Sequence, residues 1–237
     1  MCVLTYLPLD EKSFLLTSSR DEHKNRLKAI PPKPYLLNRK KVIFPQDVKA
    51  GGTWFATSSL TTLCLLNGAF ENHIPKSHYR QSRGRIIPDF FQFKNVEDFL
   101  TGYNFYDLEP FTLIIISHEN SLCISELRWT GEELFFAEKN CNKPYIWSSA
   151  TLYSAEMIHQ REEWFENWLN LQQQPYQKDE ILDFHLQGGI GDGQNDLRLN
   201  RETHATQTII QIEKYEFASN IRYYDLENEQ LLNYKVL

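Results

Sequence analysis

The sequence predicts an α+β fold in which two β-sheets stack and helices pack outside them, an α/β/β/α layering. Three observations predict it. Short apolar, β-branched runs bounded by turn residues recur in three groups, of four, four and three strands. Stretches with apolar spacings of three and four fall between those groups and read as helices. The 237 residues, 41% of them hydrophobic, suffice for one sizeable core, so a single domain over 1–237 is expected. Periodicity by itself gives mixed α and β; the order of the elements is what suits stacked sheets.

Residues 3–7 and 13–18 read as two strands, with Asp10-Glu11-Lys12 as the hairpin between them. A polar stretch follows over 19–26, then four prolines within 31–45, which predict an extended surface loop. Gly51-Gly52 opens a second strand pair, 53–57 and 62–66, turned at Ser58-Ser59 and closed by Asn67-Gly68. Between Gly84 and Gly102 the pattern is helical, with Pro88 suited to a first turn. Runs 111–117, 121–129, 133–137 and 145–148 read as a four-stranded meander with turns at Asn120 and Gly131. Residues 155–171 form the clearest helix: Met157, Arg161, Trp164, Trp168 and Leu171 share one stripe, expected to pack on the core. A shorter helix covers 179–186. The segment 188–196, GGIGDGQND, matches neither a P-loop nor a dinucleotide fingerprint and reads as a mobile loop. Strands 206–212, 217–225 and 230–236 end the chain.

The formal net charge of −6 argues against a nucleic-acid surface, and Arg39-Lys40-Lys41 reads as a solvated turn. No stretch approaches the roughly 18 apolar residues of a membrane span. The four cysteines form no CxxC pair and no secretory leader is evident, so a reducing, cytoplasmic setting is expected. His73 and His78 lie five apart with no HExxH or cysteine cluster, a weak basis for a metal site. No resident cofactor is expected. Assembly as a homo-oligomer stays open.

Position 2 is chemically special. Removal of Met1 would leave Cys2 carrying a thiol and a free α-amine on one residue. Their ordinary pKa values are close, about 8.5 and about 8, so the amine can take the thiol proton and pass it to a leaving group. Arg20 is a candidate cation beside the thiolate, since the hairpin brings the end of the second strand near the start of the first. The alternative is a small buried residue at a strand start.

Met1-Cys2, Arg20-Asp21-Glu22 with Arg26, Gly51-Gly52-Thr53-Trp54, Leu66-Asn67 and Ser82-Arg83-Gly84 together resemble the NRDE family of Transport and Golgi Organization homologues, in order and spacing, over about the first 90 residues. That resemblance implies an N-terminal-nucleophile hydrolase fold, similar to choloylglycine hydrolases and penicillin V acylases. It implies Cys2 as nucleophile, Arg20 against its sulfur, Asp21 holding the α-amine, and Asn67 as an oxyanion donor. Each has a structural alternative: Arg20 and Asp21 as an ion pair, Asn67-Gly68 as a turn. The chain departs from the family pattern at Ser19, where the motif has Asn, and at Ser149, where the hydrolases have a second oxyanion donor. Ser149 is the candidate replacement. At Ala205 the family has Arg, and His204 is adjacent.

Two functions follow. One is a cysteine amidohydrolase or acyl-transfer enzyme acting on a small or lipid-like acyl compound. The other, implied by the family's association with haem and lipid handling, is a non-catalytic binder of a hydrophobic ligand. The sequence holds no haem-attachment CxxCH.

Overall fold

A computed structural model describes residues 3–119, 121–216 and 218–236. Cys2 lies outside the described residues. So do Asn120, expected in a turn, and Phe217, expected to open a strand.

The elements, in chain order, begin with β1 (Val3–Pro8), β2 (Phe14–His23), β3 (Ile30–Leu37), β4 (Lys40–Gln46), β5 (Phe55–Thr57) and β6 (Thr61–Asn67). A 3-10 turn, Arg83–Arg85, leads into α1 (Ile86–Phe90) and α2 (Val96–Gly102). Then come β7 (Phe111–Ser117), β8 (Cys123–Trp129), β9 (Leu134–Lys139), β10 (Tyr145–Ser148), α3 (Ala155–Leu171), α4 (Lys178–Gln187), β11 (His204–Lys214), β12 (Ser219–Asp225) and β13 (Gln230–Val236). They make two sheets, one ordered β10-β1-β2-β11-β12-β13 and one running β3 to β9 in sequence. Every pairing is antiparallel.

Three apolar clusters show what packs on what. Leu4, Leu16, Ile210 and Ile212 of the first sheet share one cluster with Phe55, Leu66, Ile114 and Ile116 of the second. Leu63, Leu65, Leu113 and Ile115, the alternate residues of β6 and β7, gather instead with Ile86, Phe90 and Phe99 of α1 and α2. Val3, Leu7 and Leu15, the alternate residues of β1 and β2, join Phe165 of α3 and Phe184 of α4. Side chains of successive strand residues point to opposite faces, so each strand feeds two clusters.

Several sequence expectations are corrected. The polar stretch after residue 18 is strand: β2 continues to His23, because β11 pairs with it through Arg20↔Thr208, Asp21↔Thr206 and His23↔His204. The proline-rich segment is a β-hairpin, not a surface loop. Its prolines sit mainly in β3, which pairs with β4 alone, and an edge strand tolerates residues that cannot donate to the ladder. Asn38 and Arg39 both take positive φ, 45° and 63°, the backbone of a two-residue primed turn. The expected four-stranded meander is three strands long; β10 leaves it and pairs with β1 in the other sheet. Of the α3 stripe, Arg161 is buried and Trp164 and Trp168 pack against the cluster that holds Phe165, but Leu171 at its end is 82% exposed.

The segment 188–196 is held by hydrogen bonds. The Asp196 carboxylate accepts the backbone N–H groups of Ile190, Gly191 and Gly193 at 2.7–3.0 Å. Arg161 donates to the carbonyls of Asn195 and Asp196. Among the described residues, no helix is long and apolar enough to cross a membrane, which leaves a β-barrel unaddressed. Nor does any group of three or more His, Cys, Asp or Glu side chains there stand ready to hold a metal ion.

Candidate active site at the end of β2

The last turn of β2 carries Ser18, Ser19, Arg20 and Asp21, all buried. Strand alternation divides them. Ser18 and Arg20 share a face with Phe14 and Leu16, toward the second sheet; Ser19 and Asp21 share a face with Leu15, toward the helices.

Arg20 is 2% exposed, and a buried guanidinium needs acceptors. It finds three: Gln207 Oε1 at 2.5 Å, Asp47 Oδ2 at 2.8 Å and Glu22 Oε2 at 3.4 Å. Its plane lies over the Trp54 ring, 4.8 Å from the centroid. Gln207 reaches it because the β2–β11 register shifts between Thr206 and Thr208, leaving Gln207 as the extra residue of a bulge. Asp47 is shared. Its Oδ1 also accepts Arg26 Nη2 at 3.0 Å and the Ala50 N–H at 2.8 Å. Burial alone would raise the Asp47 pKa. The bonds from Arg26 and Ala50, with the charges of Arg26 and Arg20, outweigh it and hold the carboxyl below its usual range.

Gly52 and Gly84 bring two separate segments into contact. Thr53 N–H donates to Gly84 O at 2.9 Å. A Cβ on Gly52 would stand 2.6 Å from that same oxygen, so only glycine fits. The contact closes one side of a cavity of about 510 Å³ bordered by Arg20, Glu22, Trp54, Asn67, Arg83 and Glu109 among others. Charged and polar groups predominate in the lining, with Trp54 and Leu65 among them, and most aromatic side chains lie in the packed clusters.

Asn67 ends β6 on this cavity. Its carbonyl accepts the Ala150 N–H at 3.1 Å and the Ser149 hydroxyl at 2.8 Å. Ser149 is fully buried, so its proton is committed to holding that backbone. Ser149 follows β10, whose Ser148 pairs with Val3; Val3 also pairs with Ser19. The chain therefore enters the described fold next to Arg20 on one side and Ser149 on the other.

On the other face of β2, the Asp21 carboxylate accepts the hydroxyls of Tyr153, at 2.5 Å, and Thr206. The Arg161 guanidinium stacks on the Tyr153 ring at 3.5 Å. Ser19 Oγ lies 2.8 Å from His185 Nδ1, and Thr5 Oγ1 lies 2.8 Å from His185 Nε2. Burial, then the charge of Arg161, drives the His185 pKa down to about 3.

The pattern of the family described as Transport and Golgi organisation 2 matches residues 1–224. The chain belongs to that family. In structure it is similar to penicillin V acylase from Agrobacterium tumefaciens, an N-terminal-nucleophile hydrolase, at a TM-score of 0.51 and 8% identity, over 98% of this chain and 85% of that one. That likeness concerns the fold. No curated protein matches it in sequence.

In this Transport and Golgi organisation 2 chain, the motif residues sort into two groups. Arg20 and Asn67 border one cavity, with Ser149 behind the Asn67 backbone; Asp21 faces the helices, on the opposite side of β2. At the late departure, Ala205 pairs with Glu22, and His204 sits edge-on to His23 at 5.3 Å. Sequence reasoning did not find Asp47, Gln207, Tyr153 or His185. Arg26 was the available signal for Asp47: a buried arginine and a half-buried one in the same motif call for a shared carboxylate. Gln207 becomes a partner through a bulge, which leaves no mark in the strand pattern.

Proposed function

We propose that this protein is a cysteine amidohydrolase or acyl-transfer enzyme of the N-terminal-nucleophile type, with one domain over 1–237 layered α/β/β/α. The three apolar clusters, one between the sheets and one on the helix-bearing face of each, support the layering. One observation carries the function: Arg20 and Asn67, far apart in sequence, border a single cavity beside the place where β1 begins.

In this reading Met1 is removed and the Cys2 sulfur attacks the acyl carbonyl. The thiol proton passes to the α-amine of the same residue. The Asn67 amide stabilises the oxyanion, the amine returns its proton to the leaving nitrogen, and the C–N bond breaks. Water then hydrolyses the thioester. Arg20 favours the thiolate. Asp21 orients the α-amine, and Ser149 acts as a positioning residue through the Asn67 carbonyl. The charged lining favours a small, polar acyl compound over a lipid-like one.

A second reading is a binder on the same fold, taking haem or a lipid. The commitment of the Ser149 proton to Asn67 favours it, because a second oxyanion donor is then lacking from that hydroxyl. Intact mass of the mature protein, followed by a Cys-directed acyl probe on wild type and Cys2→Ala, separates the two. Loss of Met1 and acylation that disappears in Cys2→Ala is the expected result, with Asn67→Ala slowing turnover about 100- to 1,000-fold. Retention of Met1 in the native protein sinks the amine-as-base mechanism. A freed Cys2 inert to acyl donors favours the binder.

A further inference from the structure

A second cavity, of about 370 Å³, lies away from Arg20 and Asn67, where the β3–β4 turn, the β5–β6 turn and the β11–β12 hairpin meet. In a chain of net charge −6, its lining holds Arg39, Lys40, Lys41, Lys94 and Lys214 against one carboxylate, Glu119. Surface lysines alone would mean little. The floor of the cavity is different.

Lys214 is 1% exposed. Its ammonium has three donors, and one goes to Ser58 O at 2.7 Å. Among the described residues it has no ion-pair partner. A buried cation without a counter-ion is costly, and a side chain as flexible as lysine would normally carry its charge out to water. Burial brings its pKa down to about 8, so it still carries its proton at neutral pH. The β11–β12 ladder pairs Lys214 with Ser219, which sets their side chains next to each other. Ser219 is 2% exposed, and its hydroxyl has no hydrogen-bond partner among the described residues. Buried hydroxyls are rarely left so.

We propose that this cleft binds a phosphomonoester group, with Lys214 and Ser219 as the donors at its floor and Arg39, Lys41 and Lys94 as the attracting rim. A tetrahedral dianion has acceptors enough for both floor donors and a charge that answers five cations. Lys40 contributes less, since its ammonium is already 2.9 Å from Phe93 O. The phosphate belongs either to a small free metabolite or to a lipid headgroup.

The test is calorimetric titration of the full chain with inorganic phosphate at neutral pH and low salt, for wild type, Ser219→Ala and Lys214→Met. Saturable binding is expected in wild type, about ten-fold weaker in Ser219→Ala for the loss of one hydrogen bond to a charged group, and absent in Lys214→Met. Should Lys214→Met fail to fold, Lys94→Ser takes its place, with affinity expected to fall two- to threefold. A flotation arm with phosphatidic acid vesicles, against phosphatidylcholine, identifies the source. Ser219-dependent flotation assigns a lipid headgroup; phosphate binding without flotation assigns a free phosphomonoester. Absence of saturable binding, or equal binding by wild type and Ser219→Ala, overturns the proposal.

Discussion

His185 makes the fold acid-labile as pH falls below the ordinary imidazole pKa. The imidazole is fully buried between the Thr5 and Ser19 hydroxyls, with the Arg161 charge nearby, and its pKa falls from 6.5 to about 3. Below pH 6.5 the unfolded chain takes up a proton that the native state refuses. Stability is therefore whole above that value and declines as pH falls toward 3. At about pH 5 the loss amounts to roughly 2 kcal/mol, from 1.36 kcal/mol per unit. The paired carboxylates Asp47 and Glu126 are held below their ordinary values, and their contribution is lost at lower pH. His118 and His204 are also lowered, chiefly by burial, so they too lose stability as pH falls. The informative quantity is therefore a difference. Urea midpoints at about pH 7.5 and about pH 5 are compared between wild type and His185→Gln, which keeps a donor and an acceptor but cannot charge. Wild type should lose about 2 kcal/mol more than the variant across that interval. Parallel losses would show that His185 accepts a proton inside the fold, and the argument from burial would be wrong.

Three further outcomes follow from the geometry of the site. Gly52→Ala drives a methyl group into the Gly84 carbonyl and should cost about 1–3 kcal/mol by denaturant midpoint, whereas Gly51→Ala meets open space and bears only left-handed strain of about 1–2 kcal/mol. Gly52→Ala should also weaken ligand binding in the cavity it borders, and Gly51→Ala should not. Asp47→Asn removes the carboxylate shared by Arg20 and Arg26. Its destabilisation should fall toward the lower end of about 3–5 kcal/mol, because Glu22 remains beside Arg20. Tyr153→Phe takes one donor from the buried Asp21 carboxylate and should cost about 1.5–3 kcal/mol in thermal unfolding.

How much of this was legible in the sequence depended on the kind of signal. β7, a nearly continuous apolar run buried on both faces, announced itself through composition, and the helix over Ala155–Leu171 through period. The end of β2 did not. Arg20, Asp21 and Glu22 look like loop in a linear reading, since burying them is unfavourable until β11, some 185 residues later, supplies the ladder and Thr206 and Gln207 supply acceptors and donors. The β3–β4 hairpin was hidden for the opposite reason. Its prolines argue against a strand, and only its position at the edge of a sheet makes them harmless. Of the site, the family motifs picked out Arg20 and Asn67, which border one cavity. The motif order could not give Asp47 its double duty or Ser149 its bond to the Asn67 carbonyl, because both depend on distances across the fold.

The alternation at the end of β2 has a consequence for how changes in the chain should propagate. Arg20 answers to the cavity through Asp47 and Gln207; Asp21, one residue on, answers to the helix-bearing face through Tyr153 and Thr206. Thr206 and Gln207 are themselves neighbours that reach opposite faces, with Gln207 the extra residue of the bulge. The two faces are thus tied at one point by two adjacent residues on each of two paired strands. Removing the bulge would restore a regular ladder and slip one of the two side chains to the wrong face. Deleting Gln207 should therefore disturb Arg20 and Asp21 together, whereas Gln207→Ala, which keeps the extra residue, should disturb Arg20 alone. Ser19 at the family's Asn position fits the same arrangement. It lies on the helix side with Asp21, where its hydroxyl meets His185, and a change there reaches the cavity only by shifting the strand that carries Arg20.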